Sequence, residues 1–381
     1  MSIKPPGCKQ ELAQLADIIT PRKTTKSHTQ GSGIQGLSVQ DSGVKDFDTD
    51  ILKQLNYHGI TALAANASHL SHDLAAHLAQ TAPSNALLVA NEALKRAELV
   101  RLFESFESAG LSNCVLFKGG ALAYSIYPEP WMRPRSDNDC LISRQDYDAF
   151  SSLLESNGYK KLFSIEGEYI SYQSTFSKPL VGHCVMNIDL HWRINNRQSL
   201  AKTFSAQNLL ADGTALDRPL QNVKIPCSID SLLIACLHRL GHHHREERLI
   251  WLYDIHLLAN SLEKTDWDAL CDKAKTKQIC AITLDALLNC EYLFSTDIPK
   301  NVIQTLSNAH QEPSKLFVQR DLPEWRYILG DLKSLQGVAA KLGFVKENLL
   351  PSPTYIRQQM HTRSATIGYI KRLARGIRRI T

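Results

Sequence analysis

Residues 114–142 read Cys114-Val115-Leu116-Phe117-Lys118-Gly119-Gly120-Ala121-Leu122-Ala123-Tyr124-Ser125-Ile126-Tyr127-Pro128-Glu129-Pro130-Trp131-Met132-Arg133-Pro134-Arg135-Ser136-Asp137-Asn138-Asp139-Cys140-Leu141-Ile142. An apolar run ends at a Lys-Gly-Gly turn, a short helical segment follows, and two aspartates open a second apolar run. Carboxylates at i and i+2 on a strand face the same side, so Asp137 and Asp139 can reach one cation site. A diglycine at a strand-to-helix junction lets backbone amides come close to phosphate at a helix N-terminus. These are parts that a metal-dependent phosphoryl or nucleotidyl transfer needs.

A third carboxylate is expected from a neighbouring strand. The best candidate is Asp189, which interrupts the apolar run Met186-Asn187-Ile188-Asp189-Leu190-His191. An unpaired charge there is costly, so it signals either a metal ligand or a buried salt bridge to an arginine. Turn chemistry alone accounts for Asp137 in Arg-Pro-Arg-Ser-Asp-Asn. It accounts poorly for Asp139, which directly precedes Cys140-Leu141-Ile142.

Strands and helices interleave from about residue 113 to 225. Strands are expected at 113–117, 138–143, 168–177, 182–194 and near 221–226, with helices at 119–127 and 145–157. On either side the apolar spacing is helical. Upstream it covers a short helix from Gln10 to Ile19 and then 49–108. Downstream it covers a helix capped by Ser228, then 246–262, 266–276, 280–295 and 325–342. The interleaving implies a small α/β or α+β core; the fold class expected is α+β, a small mixed-sheet core between N-terminal and C-terminal helical subdomains. The expected units are an N-terminal extension and linker (1–46), a helical subdomain (47–110), the core (111–226), a helical domain closing the cleft (227–310), and C-terminal helices with a basic tail (311–381).

Bulk composition agrees with an ordinary globular protein of two or more domains: 381 residues, 43% hydrophobic and 21% charged. There is no apolar run long enough to span a membrane, and the N-terminus lacks the apolar core of a signal peptide. The nine cysteines are scattered with no C-x-x-C pair, which points to a reduced, cytoplasmic location. The net charge of +5 is concentrated at the end. Seven Lys/Arg and no acid follow Ser352, which leaves 36 basic against 38 acidic residues in the rest, a net of −2. In the tail, Ile370, Leu373 and Ile377 share one helical side. The tail could lie on an anionic membrane, contact nucleic acid, or simply be solvated.

The set Lys118-Gly119-Gly120-Ala121-Leu122, Arg133-Pro134-Arg135-Ser136-Asp137-Asn138-Asp139 and Asp189-Leu190-His191-Trp192-Arg193 resembles a poorly characterised group of bacterial nucleotidyltransferases. That group belongs to the DNA polymerase beta-like superfamily. The resemblance covers roughly residues 50–260 and includes His238, His242 or His243 and the segment Arg248–Asp254. One departure is Asn138, where the family pattern has an apolar residue between the aspartates.

The resemblance implies Mg²⁺ (or Mn²⁺) held by Asp137, Asp139 and Asp189, with an NTP as co-substrate. Gly119, Gly120 and Lys118 would hold phosphates. Arg133, Arg135 and Ser136 are candidates for the triphosphate, although solvated loop arginines fit as well. His238 and His242, four apart on a helix, would face the nucleotide. Polar histidines at a helix end, or a zinc-binding pair, would show the same spacing. The activity implied is transfer of an NMP to a hydroxyl acceptor: a small molecule, a peptide or a protein. A non-catalytic nucleotide-binding protein and an RNA-modifying enzyme are the rivals.

Overall fold

A computed structural model describes residues 10–20, 44–70, 72–82, 84–164, 167–243, 246–309, 312–319 and 322–377. Most of the linker expected before residue 46, together with His244 and the last residues of the tail, lies outside them.

The opening stretch supplies the centre of the sheet. Strand β1 (Cys114–Phe117) lies antiparallel to β2 (Asn138–Ile142), and every residue of both is buried. Strands buried along their whole length are covered on both faces. The other strands are β3 (Lys160–Ser164), β4 (Gln173–Pro179), β5 (Val185–His191), β6 (Thr214–Ala215) and β7 (Lys224–Ile225). The sheet order is β3-β4-β5-β2-β1-β7-β6, with β2–β5 and β1–β7 parallel and the other pairs antiparallel. The sheet is therefore mixed, as expected, although the sequence gives no warning of the edge strands β3 and β6.

Alternation along the strands divides the core in two. Cys114, Leu116, Cys140, Ile142, Ile188 and Leu190 pack under helices α5 (Asn85–Ser108) and α7 (Tyr147–Ser156), against Leu99, Phe103, Phe106 and Phe150. Val115, Phe117 and Leu141 point the other way, into a larger helical core. That core draws on α1 (Gln10–Ile19), α2 (Val44–Tyr57), α3 (Thr61–Ala65), α4 (His72–Thr81), α6 (Lys118–Ser125) and α8 (Ala206–Ala211). It continues through α9 (Ser228–Leu237), α10 (Leu249–Ser261), α11 (Lys264–Thr276), α12 (Cys280–Phe294) and α13 (Lys300–Ser307). Two-residue periodicity thus sends Asp139 and Asp189 to the face that meets α9 and α10, because they share parity with Leu141 and His191.

Two local expectations are corrected. Ser228 is the first residue of α9 rather than its cap; Cys227 holds the cap position and no side chain bonds there. The single helix expected over 325–342 is two, α15 (Glu324–Ser334) and α16 (Val338–Leu349), with α14 (Lys315–Val318) before them. Gly337 between them has φ +82°, a backbone conformation open to glycine and closed to a continuing helix. Two further helices, α17 (Pro353–Gln359) and α18 (Ala365–Ile377), pack on each other, and Arg372 on α18 donates to the Asn348 carbonyl. Among the described residues no helix is long and apolar enough to cross a membrane.

Candidate active site

The site begins with the chain leaving β1. Lys118 takes the left-handed conformation, φ +54°, and starts α6. Non-glycine residues adopt that conformation only at a cost. Neither Gly119 nor Gly120 has a positive φ, so the diglycine is needed for close approach rather than for the bend. A Cβ on Gly119 would meet the Arg133 guanidinium at 3.3 Å, and one on Gly120 would meet Asn138 Oδ1 at 2.9 Å.

The turn aims Lys118 at Asp139, with Nζ 2.7 Å from Oδ1. His191 Nε2 reaches the same oxygen at 2.8 Å, and its ring packs edge-on against Phe117. Burial alone would raise the Asp139 carboxyl, but Lys118 and His191 overcome it and hold it well below the usual carboxylate range. Burial, and then Lys118, push His191 down, so it is a neutral imidazole near neutral pH.

Asp189 lies directly opposite Asp139 in the β2–β5 register. Gln173 Nε2 donates to its Oδ2 at 2.9 Å, while Oδ1 is buried with no hydrogen-bond partner. Burial and the neighbouring Asp139 raise its pKa, against the pull of Thr175. Asp137, two residues before Asp139, is pushed up to about 6 by burial and by repulsion from Asp139 and Asp189. Three carboxylates around one ammonium group make a site that favours a further cation. One donor atom each from Asp139, Asp189 and His191 lies within 4.8 Å of the others, close enough to share a metal ion. The donor set and the orphaned Asp189 oxygen fit a divalent ion.

The two arginines expected at a triphosphate are both in ion pairs. Arg133 Nε and Nη2 grip Asp254 of α10 at 2.8 Å each, and Tyr127 donates to the same carboxylate at 2.7 Å. Arg135 binds both oxygens of Glu92 on α5 at 2.8 and 3.0 Å, along with Tyr124. Its Nε donates to Asn138 Oδ1 at 2.9 Å. Asn138 is thus the acceptor in a buried polar cluster on the α5 side of the sheet. Ser136 is exposed, and its carbonyl accepts from Asn187.

Opposite the carboxylates, α9 continues into a π-helical turn, His238–His242, a rare geometry that is frequent at functional sites. Arg239, almost fully buried, fixes this turn by donating to Glu247 at 2.7 and 2.8 Å and to Asp285 of α12 at 2.6 Å. That leaves His238, His242 and His243 facing the sheet. His243 stacks on Trp251 with ring centres 4.4 Å apart. Burial and Lys118 push His238 and His242 well below the usual histidine range.

Two cavities meet on the carboxylates. The larger, 580 Å³, is lined by Lys118, Gly119, Asp137 and Asp139, by Arg133 and Arg135, and by Arg248, Ile250 and Trp251. The smaller, 370 Å³, is lined only by polar side chains, including Gln173, Asp189, Asn196 and the three histidines. A model of a family described as uncharacterised nucleotidyltransferase matches residues 47–295. The chain belongs to this family. A comparison with curated proteins finds no match. The family match spans the sheet, α6 and the helices that carry His238 and Trp251, so every residue of this candidate site lies within it.

Of the residues singled out from sequence, Asp137, Asp139, Asp189, Lys118, His238 and His242 all line the smaller cavity, while Gly119, Arg133, Arg135 and Ser136 line the larger. Gly120 lines neither and packs on Asn138 instead. Sequence reasoning misses His191 and Gln173. A signal for His191 exists, since it stands two residues beyond Asp189 on the same strand face.

Proposed function

We propose that this nucleotidyltransferase moves a nucleoside monophosphate from an NTP to a hydroxyl-bearing acceptor and releases pyrophosphate, with Mg²⁺ or Mn²⁺ at Asp137, Asp139 and Asp189. The observation that carries this is the cross-strand pair Asp139–Asp189 with Asp137 beside it, at the junction of two cavities. When bound, a divalent ion there lowers the pKa of the acceptor hydroxyl and offsets triphosphate charge.

The larger cavity suits the NTP. Lys118 and the start of α6 stand at its carboxylate end, where a phosphate chain would meet an ammonium group and backbone amides. Ile250 and Trp251 in its wall offer an apolar and aromatic surface to a base. The smaller cavity suits the acceptor, and its wholly polar lining favours a small molecule or a polar side chain of a peptide or protein. Asp189 can accept the acceptor's proton, and the neutral imidazoles of His238 and His242 can hydrogen-bond the acceptor. The basic tail could add contacts to an anionic partner, and the scattered thiols suit a cytoplasmic setting.

The test is incubation with each labelled NTP, Mg²⁺ or Mn²⁺, and candidate acceptors. Asp139→Ala should lower transfer by at least about 10². Wild-type turnover from that variant would sink the proposal.

A further inference from the structure

The point where β2 meets β5 carries more than carboxylates. Asp139 Oδ1 receives two donors, Lys118 Nζ at 2.7 Å and His191 Nε2 at 2.8 Å. Across the strand pair, Asp189 is 7% exposed, yet its Oδ1 has no partner. These side chains project from two central strands, so their spacing is set by the sheet rather than by a loop.

We propose that His191 joins the carboxylates of Asp139 and Asp189 as a nitrogen ligand of the divalent-cation site, and that the Lys118 ammonium group holds the cation's place until it arrives. Two oxygens and an imidazole nitrogen are a poor match to Mg²⁺, which prefers oxygen donors in a strict octahedron. They suit Mn²⁺ and the later divalent metals. For ligation through Nε2, the proton now shared with Asp139 moves to Nδ1 of the same ring, so His191 stays neutral. Lys118, displaced from Asp139, is then free to meet a phosphate. Charge at the site therefore passes from ammonium group to metal ion without leaving the carboxylates unbalanced. This deepens the nucleotidyltransferase proposal and rests on it only for what the cation does.

The site is tested on the full-length protein without nucleotide. Pulsed electron paramagnetic resonance of the Mn²⁺-loaded protein should show coupling to an imidazole ¹⁴N. The coupling should vanish in His191→Gln and persist in His238→Gln and His242→Gln. Calorimetric titration should find Mn²⁺ bound more tightly than Mg²⁺, with the Mn²⁺ affinity falling about 10- to 100-fold in His191→Gln. In Lys118→Met, where the competing ammonium group is gone, Mn²⁺ affinity should rise about tenfold. Absence of nitrogen coupling in the wild type, or its survival in His191→Gln, overturns the ligand assignment. Unchanged or weaker Mn²⁺ binding in Lys118→Met overturns the place-holding role. If His191→Gln does not fold, the triple variant His238→Gln/His242→Gln/His243→Gln labelled with ¹⁵N-histidine decides, since a coupling that survives there and changes with the isotope leaves His191 as its source. No arm uses an NTP, so the cation site can fail while transfer stands, and can stand while transfer fails.

Discussion

Asp139 on β2 and Asp189 on β5 are directly opposed across a parallel strand pair. Two buried carboxylates held side by side repel each other; Lys118 and His191 compensate Asp139, so the uncompensated electrostatic cost falls on Asp189, where a cation relieves it. They are far apart in the chain. Their meeting depends on Asp139 beginning one strand where Asp189 lies late in the other.

Asp189→Asn should therefore divide activity from stability. The amide oxygen can still accept from Gln173, and a desolvated charge is removed. Transfer is expected to fall at least about 10², while the metal-free variant melts higher, by about 1 kcal/mol of stability. Parallel activity assays and thermal melts check both. A variant less stable than wild type would show that the carboxylate is already well compensated.

Gly120→Ala should be damaging although it adds one methyl group. The new Cβ would lie 2.9 Å from Asn138 Oδ1 and 3.2 Å from Leu116 Cδ1. Relief requires shifting the amide that accepts from Arg135, and with it the Glu92 and Tyr124 cluster. Denaturant melts should show a loss of about 1–3 kcal/mol. Asn138→Leu should also destabilise, because Arg135 Nε then has no acceptor in the cluster.

Arg133 and Asp254 join the loop before β2 to α10 through a buried bidentate pair 121 residues apart in sequence. Removing one partner strands a charge, so Arg133→Ala or Asp254→Ala should cost about 3–5 kcal/mol by chemical denaturation. The double replacement Arg133→Met with Asp254→Leu should recover much of that. A double variant as weak as the sum of the singles would show that the pair's geometry, not its charge balance, holds the helical wall in place.

How far these relationships could be read in advance depends on their range. The strands around 114 and 138 and the helix between them follow from local apolar runs and turn residues. Asp189 is visible because a charge interrupts an apolar strand. Edge strands β3 and β6 are hidden because Lys160-Lys161-Leu162-Phe163-Ser164 lacks clean alternation and β6 has two residues. The break between α15 and α16 turns on a single glycine. The partners of Arg133 and Arg135 lie on α10 and α5, and no local pattern shows which distant carboxylate a buried guanidinium will find. His191 is intermediate in this respect: strand parity places it, yet nothing local shows that it shares an oxygen with Lys118.

Asp137 should leave a pH signature. Its pKa, pushed up to about 6 from an unfolded value near 3.8, means that the native state binds this proton more tightly than the unfolded chain. Stability contributed by the protonated form is present at low pH and is lost as pH rises from about 4 through about 6. Cation binding runs in the opposite sense. It requires the carboxylate, so Mn²⁺ affinity should weaken as pH falls below about 6 and protons compete for Asp137. Other groups titrate nearby, Asp331 among them at about 6, so the measured quantity is the difference between wild type and Asp137→Asn. Thermal melts without metal should show the wild type losing ground to the variant between about pH 4 and about pH 6, with no further change above. A flat difference curve would mean that Asp137 ionises at its ordinary value and that the three carboxylates are less crowded than their positions imply.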